Sequence, residues 1–452
     1  MIERALERAS DTRACEIGEG VLAKAPALFR EHFPRSARAI VVCDPRTRKA
    51  AGDETEALLR QAGVETTLHV LEPGGKTFHG DYRYAEEVRE AALAAGVERG
   101  GEKIVPVAVG SGVVNDVTKR ASGELGLPYM CVGTAASVDG YSSFGAALRS
   151  PEGAKQTYPC PAPRVIVADL NVMRTAPAWM AASGFADLMA KVPAGADWIL
   201  SSELGAAEWH ESAWHTVQDG LKDTIGFPEG VVAMETAPFA RLVEGLMLGG
   251  FAMQDMQSSR PASGAEHMFS HLLEMRDHVF NGEIVPHGIQ VGVFTLFMCR
   301  VYERLLSFDY SALDVERCLA NWRPLAEQER IGAEMFAGTR FPDIGVKAVR
   351  AKFLDREATR ARLEDFKARW PLIRTRLEAQ LVPASEIERR LRVIGAPTTP
   401  EGIGSSVAAT LADARKTIYM RDRYMALDFI DLTGQLDDFA ASALQSADKA
   451  EL

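Results

Sequence analysis

The sequence predicts an α/β amino-terminal domain built on a parallel sheet, followed by an all-helical carboxy-terminal domain. Two patterns carry this. In the first third, short apolar runs alternate with helical stretches, as strands buried on both faces do. From about Thr175 the segments lengthen and fill with Ala, Leu, Met, Glu and Arg at helical spacing. The boundary falls there, giving domains of residues 1–174 and 175–452. A chain of 452 residues has room for two or three domains at roughly 100–200 residues each.

The strands follow in order. Ala39-Ile40-Val41-Val42-Cys43 ends in Asp44, and Thr67–Leu71 is the second run. Ile104–Val109 is the third and ends in glycine, but Pro106 inside it argues for an edge or a bulge. Tyr129–Val132 and Val165–Ala168 complete the set. Beyond them, Leu242, Leu246, Leu248 and Met253 mark one helix, and Leu354, Leu363, Phe366, Trp370, Leu372, Ile373 and Leu377 mark another. The charged stretch Lys347–Arg392 reads as a solvated helical face, and the chain reads as frayed from Ser442.

Composition excludes several classes. The net charge is -11 and no Lys/Arg run is present, which excludes a nucleic-acid surface. The six cysteines form no C-x-x-C pair, which argues against a disulfide framework and a cysteine zinc site. The first residues carry no apolar signal core, and no apolar run approaches the roughly 18–20 residues of a membrane span. The expectation is a cytoplasmic protein with no membrane partner.

Five motifs carry chemistry. Gly110-Ser111-Gly112-Val113-Val114 follows a strand and opens a helical stretch. Glycines let a backbone approach a ligand closely, and free N–H groups at a helix start suit a pyrophosphate. The third glycine of the dinucleotide fingerprint is absent, so read alone the motif is more often a plain strand-to-helix turn. Thr134-Ala135-Ala136-Ser137-Val138-Asp139-Gly140-Tyr141-Ser142-Ser143 also follows a strand. Its small and hydroxylated residues leave room for a ligand; Asp139 suits a substrate hydroxyl or an Asx turn. In Ser183-Gly184-Phe185-Ala186-Asp187, the lone acid needs a cation if it is buried. In Ser258–His271, His267 and His271 stand four apart on one helical face, and spacing alone makes both metal ligands. His287, between Pro286 and Gly288, turns into an apolar helix. A carboxylate with two imidazoles suits a divalent ion with open positions for substrate oxygen.

In this order the motifs resemble the sn-glycerol-1-phosphate dehydrogenase family, within the iron-containing alcohol dehydrogenase and dehydroquinate synthase-like superfamily. The resemblance runs from about Asp44 to Met420-Arg421-Asp422-Arg423-Tyr424. It implies a Rossmann-like α/β domain, a helical domain, and an active site in the cleft between them. It implies a soluble homo-oligomeric enzyme of phospholipid metabolism that uses NAD(H) or NADP(H) and one divalent metal. Zinc or nickel suits the ligands best, and iron(II) also fits.

Residue by residue, the resemblance implies that Gly110, Ser111, Gly112, Val113, Val114 and Asp116 hold the pyrophosphate side of the cofactor. Thr134, Ala135, Ala136, Ser137 and Ser143 match nicotinamide-side contacts. Asp44 matches the acid near the adenine ribose, which favours NAD over NADP. Asp139 matches a substrate contact. Asp187, His267 and His287 match the metal ligands, with Asp187 also touching substrate. His271 matches an active-site histidine that is not a ligand, which displaces the reading from spacing. Arg260 and Lys155 are the candidates for the substrate phosphate, against structural or solvated roles for each. Ile289 and Ala186 depart from the glutamate and glycine frequent in the family.

The implied reaction interconverts dihydroxyacetone phosphate and sn-glycerol-1-phosphate by hydride transfer. A dehydrogenase for glycerol or another unphosphorylated polyol is the nearest alternative. A dehydroquinate synthase-like lyase uses a glutamate where Asp187 stands, and the intact ligand residues argue against a non-catalytic relative.

Overall fold

The computed structural model describes residues 1–73, 78–101, 103–151 and 155–445. Ten strands are present among them: β1 (Ala14–Gly18), β2 (Arg38–Cys43), β3 (Glu65–Val70), β4 (Ile104–Gly110), β5 (Met130–Gly133), β6 (Ala146–Arg149), β7 (Lys155–Tyr158), β8 (Val165–Asp169), β9 (Val279–Phe280) and β10 (Glu283–Ile284). Six helices position the residues of interest: α1 (Gly112–Leu125), α2 (Ala178–Met189), α3 (Lys191–Glu203), α4 (Thr236–Met256), α5 (Ala265–Met275) and α6 (His287–Leu306).

The chain divides into two compact units. One comprises Met1–Leu188 with Ser212–Ser259, the other Met189–Glu211 with Arg260–Leu452. The single cut expected at 174/175 is therefore replaced by a chain that crosses three times. Helices α2 and α4 have the composition of the helical region, but belong to the first unit apart from the last residue of α2.

The first unit is built on a six-stranded sheet in the order β1-β8-β5-β4-β2-β3. Every pairing is parallel. The strand Ala14–Gly18 escaped the sequence reading because it is short and only half-buried at every position. All seven residues of β4 are buried, so Pro106 lies in an interior strand, not at an edge or a bulge. Pro106 pairs with Ile40 of β2, while pairing with β5 starts only at Val107. At that level the strand has one partner, which is where a missing N–H is tolerated. The core against one face joins Val41, Val107, Val109, Val132 and Val167 to Leu22, Phe29 and Leu59. Each fully buried Val or Leu contributes roughly 1.5–3 kcal/mol, so the sheet is held mainly by apolar burial.

This strand order sets the site. From β2 the chain moves outward to β3, then returns to the other side of β2 to form β4. The reversal leaves a crevice beyond the carboxyl ends of β2 and β4, where open α/β sheets bind ligands. Asp44 follows β2 and Gly110 ends β4.

The second unit is largely helical. Its one departure from the expected all-helical domain is the antiparallel pair β9–β10, turned through Asn281 and Gly282 at positive φ. The carboxy-terminal helix runs through Gln445, so Ser442–Gln445 are helical rather than frayed; residues 446–452 lie outside the described residues.

Candidate active site

In the first unit, three turns at the carboxyl ends of strands hold the predicted cofactor residues. At Gly110 an added Cβ would stand 2.4 Å from the Cβ of Val114, so only glycine lets α1 begin this close to its strand. Ser111 is the N-cap residue but makes no side-chain cap bond, so its hydroxyl does not occupy the first-turn N–H groups of α1. Asp116, one turn further on, is tied down: its carboxylate accepts from the N–H of Ala147 at 3.1 Å and pairs with Lys119 at 3.3 Å. Asp44 caps the short helix Pro45–Thr47, with Oδ1 accepting from the N–H groups of Arg46 at 2.7 Å and Thr47 at 3.0 Å.

The third turn, Thr134–Ser143, is gripped from several sides. The Thr134 N–H donates to the Gly110 carbonyl at 3.1 Å, joining the turn after β5 to the glycine turn. The fully buried Lys119 ammonium on α1 donates to the carbonyls of Gly140 and Gly145, each at 3.0 Å. An added Cβ at Gly184 would meet the Ala136 carbonyl oxygen at 2.1 Å, so glycine lets α2 close onto the turn. From α4, the Met247 carbonyl accepts from the Ser142 hydroxyl at 2.8 Å, and Gly250 makes room for Ser142, whose Oγ an added Cβ would meet at 2.1 Å. The Ser143 hydroxyl donates to the Gly140 carbonyl at 3.2 Å. Asp187, fully buried on α2, accepts from the Asp139 N–H at 3.2 Å.

In the second unit, α5 carries His267 and His271, and α6 begins at His287. The ring centroids are 5.4 Å apart for His267–His287, 6.0 Å for His271–His287 and 6.3 Å for His267–His271. Each ring has a carboxylate at Nδ1. Glu266 Oε1 lies 2.7 Å from Nδ1 of His267. Glu274 reaches two rings, Oε1 at 3.0 Å from His287 and Oε2 at 3.3 Å from His271. A ring that donates from Nδ1 keeps its lone pair on Nε2, the form a metal needs. Burial pushes the His271 pKa down to about 3, helped by the Arg421 charge and opposed by Glu274, so this ring is neutral at pH 7.

Asp187 in the first unit, and His267 and His287 in the second, each offer one ligand atom of a kind that a metal ion takes. His271 is outside this group, although helical spacing alone pairs it with His267. A carboxylate and two imidazoles, with protein acceptors on both Nδ1 atoms, fit a divalent ion.

The phosphate candidates fare differently. Arg260 is buried, and its Nη2 donates to the carbonyls of Asp197 at 3.2 Å and Tyr424 at 3.0 Å and to the Ser201 hydroxyl. Its geometry is that of an arginine tying α3 to the segment at Tyr424. Lys155 opens β7 opposite Arg149, and its side chain lies outside the described residues. The sequence reading missed Glu266, Glu274 and Lys119. Glu266 adjoins His267, while Glu274 follows His271 by three and Lys119 follows Asp116 by three; only these two i,i+3 spacings signal a partner on one helix without the fold.

Comparison with known proteins places these features in a class. The family model described as iron-containing alcohol dehydrogenase matches residues 16–177, which include seven of the ten strands and all three turns. A probable glycerol dehydrogenase structure from Sinorhizobium meliloti shares the fold at a TM-score of 0.59 and 17% identity, covering 95% of this chain and 98% of its own. The glycerol-1-phosphate dehydrogenase [NAD(P)+] of Bacillus licheniformis is 34% identical over 60% of this chain, which spans 65% of that relative's length. The enzyme of the same name from Bacillus subtilis is 32% identical over 68% of this chain and 77% of its own. The chain belongs to the glycerol-1-phosphate dehydrogenase family of the iron-containing alcohol dehydrogenases.

Proposed function

We propose that this protein is a metal-dependent NAD(P)H oxidoreductase that interconverts dihydroxyacetone phosphate and sn-glycerol-1-phosphate. The observation that carries the reading is the donor set Asp187, His267 and His287, with its Nδ1 atoms held by Glu266 and Glu274. When bound, a divalent ion supplies Lewis acidity at the substrate carbonyl and the nicotinamide supplies the hydride.

The chain's own residues do the rest. Asp187, His267 and His287 hold the ion. Gly110 to Val114 receive the pyrophosphate at the start of α1, and Thr134 to Ser137 with Ser143 border the nicotinamide. Asp44 at the end of β2 takes the adenine ribose, its other carboxylate oxygen already committed to the helix cap. Asp139 orients a substrate hydroxyl. His271, neutral with its lone pair on Nε2, accepts a hydrogen bond from that hydroxyl and moves its proton. For the phosphate we assign Arg421, half-buried, whose charge acts on both His271 and Glu274.

Dehydrogenation of an unphosphorylated polyol is the second reading, favoured by the engagement of Arg260 with protein carbonyls. A steady-state assay of NADH oxidation separates the two. The phosphate reading expects kcat/KM for dihydroxyacetone phosphate to exceed that for dihydroxyacetone by about ten- to a hundredfold, the worth of a charge-assisted hydrogen bond. Equal values would favour the polyol reading.

A further inference from the structure

We propose that Glu274 is a shared positioning residue, fixing the ligand His287 and the non-ligand His271 in the same tautomer with a single carboxylate. The inference rests on the metal reading above and names a residue that sets it. Glu274 sits on α5, three residues beyond His271, whereas His287 opens a different helix, α6. Its two oxygens are divided between them, Oε1 at 3.0 Å from Nδ1 of His287 and Oε2 at 3.3 Å from Nδ1 of His271.

A chain of hydrogen bonds gives the direction independently. The Gln290 amide nitrogen donates to the Val285 carbonyl at 2.8 Å, which turns its Oε1 into the free acceptor. Ser270 donates to that Oε1 at 3.1 Å, spending its one hydrogen. The Ser270 oxygen, 3.2 Å from Nδ1 of His287, is therefore an acceptor on that side. Both neighbours of His287 Nδ1 accept, so the ring proton sits on Nδ1 and the lone pair on Nε2. Glu274 imposes the same choice on His271. One ring thereby presents a metal donor and the other a hydrogen-bond acceptor.

A carboxylate accepts at both oxygens, whereas an amide accepts at one end and donates at the other. Glu274→Gln therefore keeps shape and volume but forces one ring to exchange its tautomer. The test uses the full chain, stripped of metal and titrated with cobalt(II), reading affinity by chelator competition and site geometry by visible absorption. Glu274→Gln is expected to bind cobalt(II) about 10–100-fold more weakly with an altered spectrum. Ser270→Ala, which removes one hydroxyl and leaves the carboxylate, is expected to lose only about threefold. Glu274→Asp, keeping both acceptors, is expected to recover part of the loss. Parent affinity and spectrum in Glu274→Gln, beside a His287→Ala variant that has lost the ion, overturn the role of Glu274 alone. Parent affinity in His287→Ala overturns the metal reading and this inference with it. If Glu274→Gln does not fold, parent affinity in both Ser270→Ala and Glu274→Asp overturns the inference.

Discussion

The two units solve the problem of positioning in opposite ways. In the first, the candidate contacts are turns: backbone N–H groups, glycines and small side chains at the ends of parallel strands, placed by the sheet order. In the second, they are imidazoles on helices, each aimed by a carboxylate at its Nδ1. A turn site depends on what is absent, since a Cβ at Gly110 or Gly184 would collide with its neighbour. An imidazole site depends on what is present. The first should fail through lost space and the second through lost partners.

The largest effect is expected in the second unit. His287→Ala should leave the protein without its ion and lower turnover by about a thousandfold or more, as several kcal/mol of transition-state stabilisation would require. Metal analysis beside the NADH assay checks both. His271→Ala should keep its ion and lose about 10²–10⁴ in rate. If it loses metal as His287→Ala does, the division between ligand and non-ligand histidine is wrong.

Arg421→Ala should weaken dihydroxyacetone phosphate about ten- to a hundredfold and leave dihydroxyacetone nearly unchanged. Arg260→Ala should lower the melting temperature and affect both substrates alike. The reverse pattern would return the phosphate to Arg260.

In the first unit the effects are smaller. Gly110→Ala should cost about 1–3 kcal/mol in urea unfolding, as overpacking does, and weaken NADH binding with no change in metal content. Asp44→Ala removes a helix cap worth about 1 kcal/mol and should raise the use of NADPH relative to NADH. Loss of stability with an unchanged cofactor ratio would leave Asp44 as a cap only.

This contrast also explains what was legible in the sequence. The apolar runs gave five of the six strands of the parallel sheet, because a buried parallel strand needs continuous Val and Ile. Gly110 and Gly112 stood out because a strand-to-helix turn needs glycine at fixed places. Asp187 and His287 lie 80 and 20 residues from His267 respectively, and the three were grouped through family resemblance, since periodicity relates only residues on one element. Spacing did relate His267 to His271 but left their roles open, because it cannot report where a ring nitrogen points. Glu274 was invisible for the same reason: its second partner, His287, is on another helix. Arg260 stood between a phosphate contact and a structural role in the sequence, because the carbonyls of Asp197 and Tyr424 come from distant segments. The sheet's interior proline misled because its tolerance depends on where pairing with β5 begins.

The most direct test of the central claim is a metal titration of turnover. Chelator-stripped protein, assayed with NADH and dihydroxyacetone phosphate, should be inactive and regain full activity with zinc or nickel at one ion per chain. Full turnover in the stripped protein, or a plateau that does not depend on His287, would contradict a metal-dependent dehydrogenase.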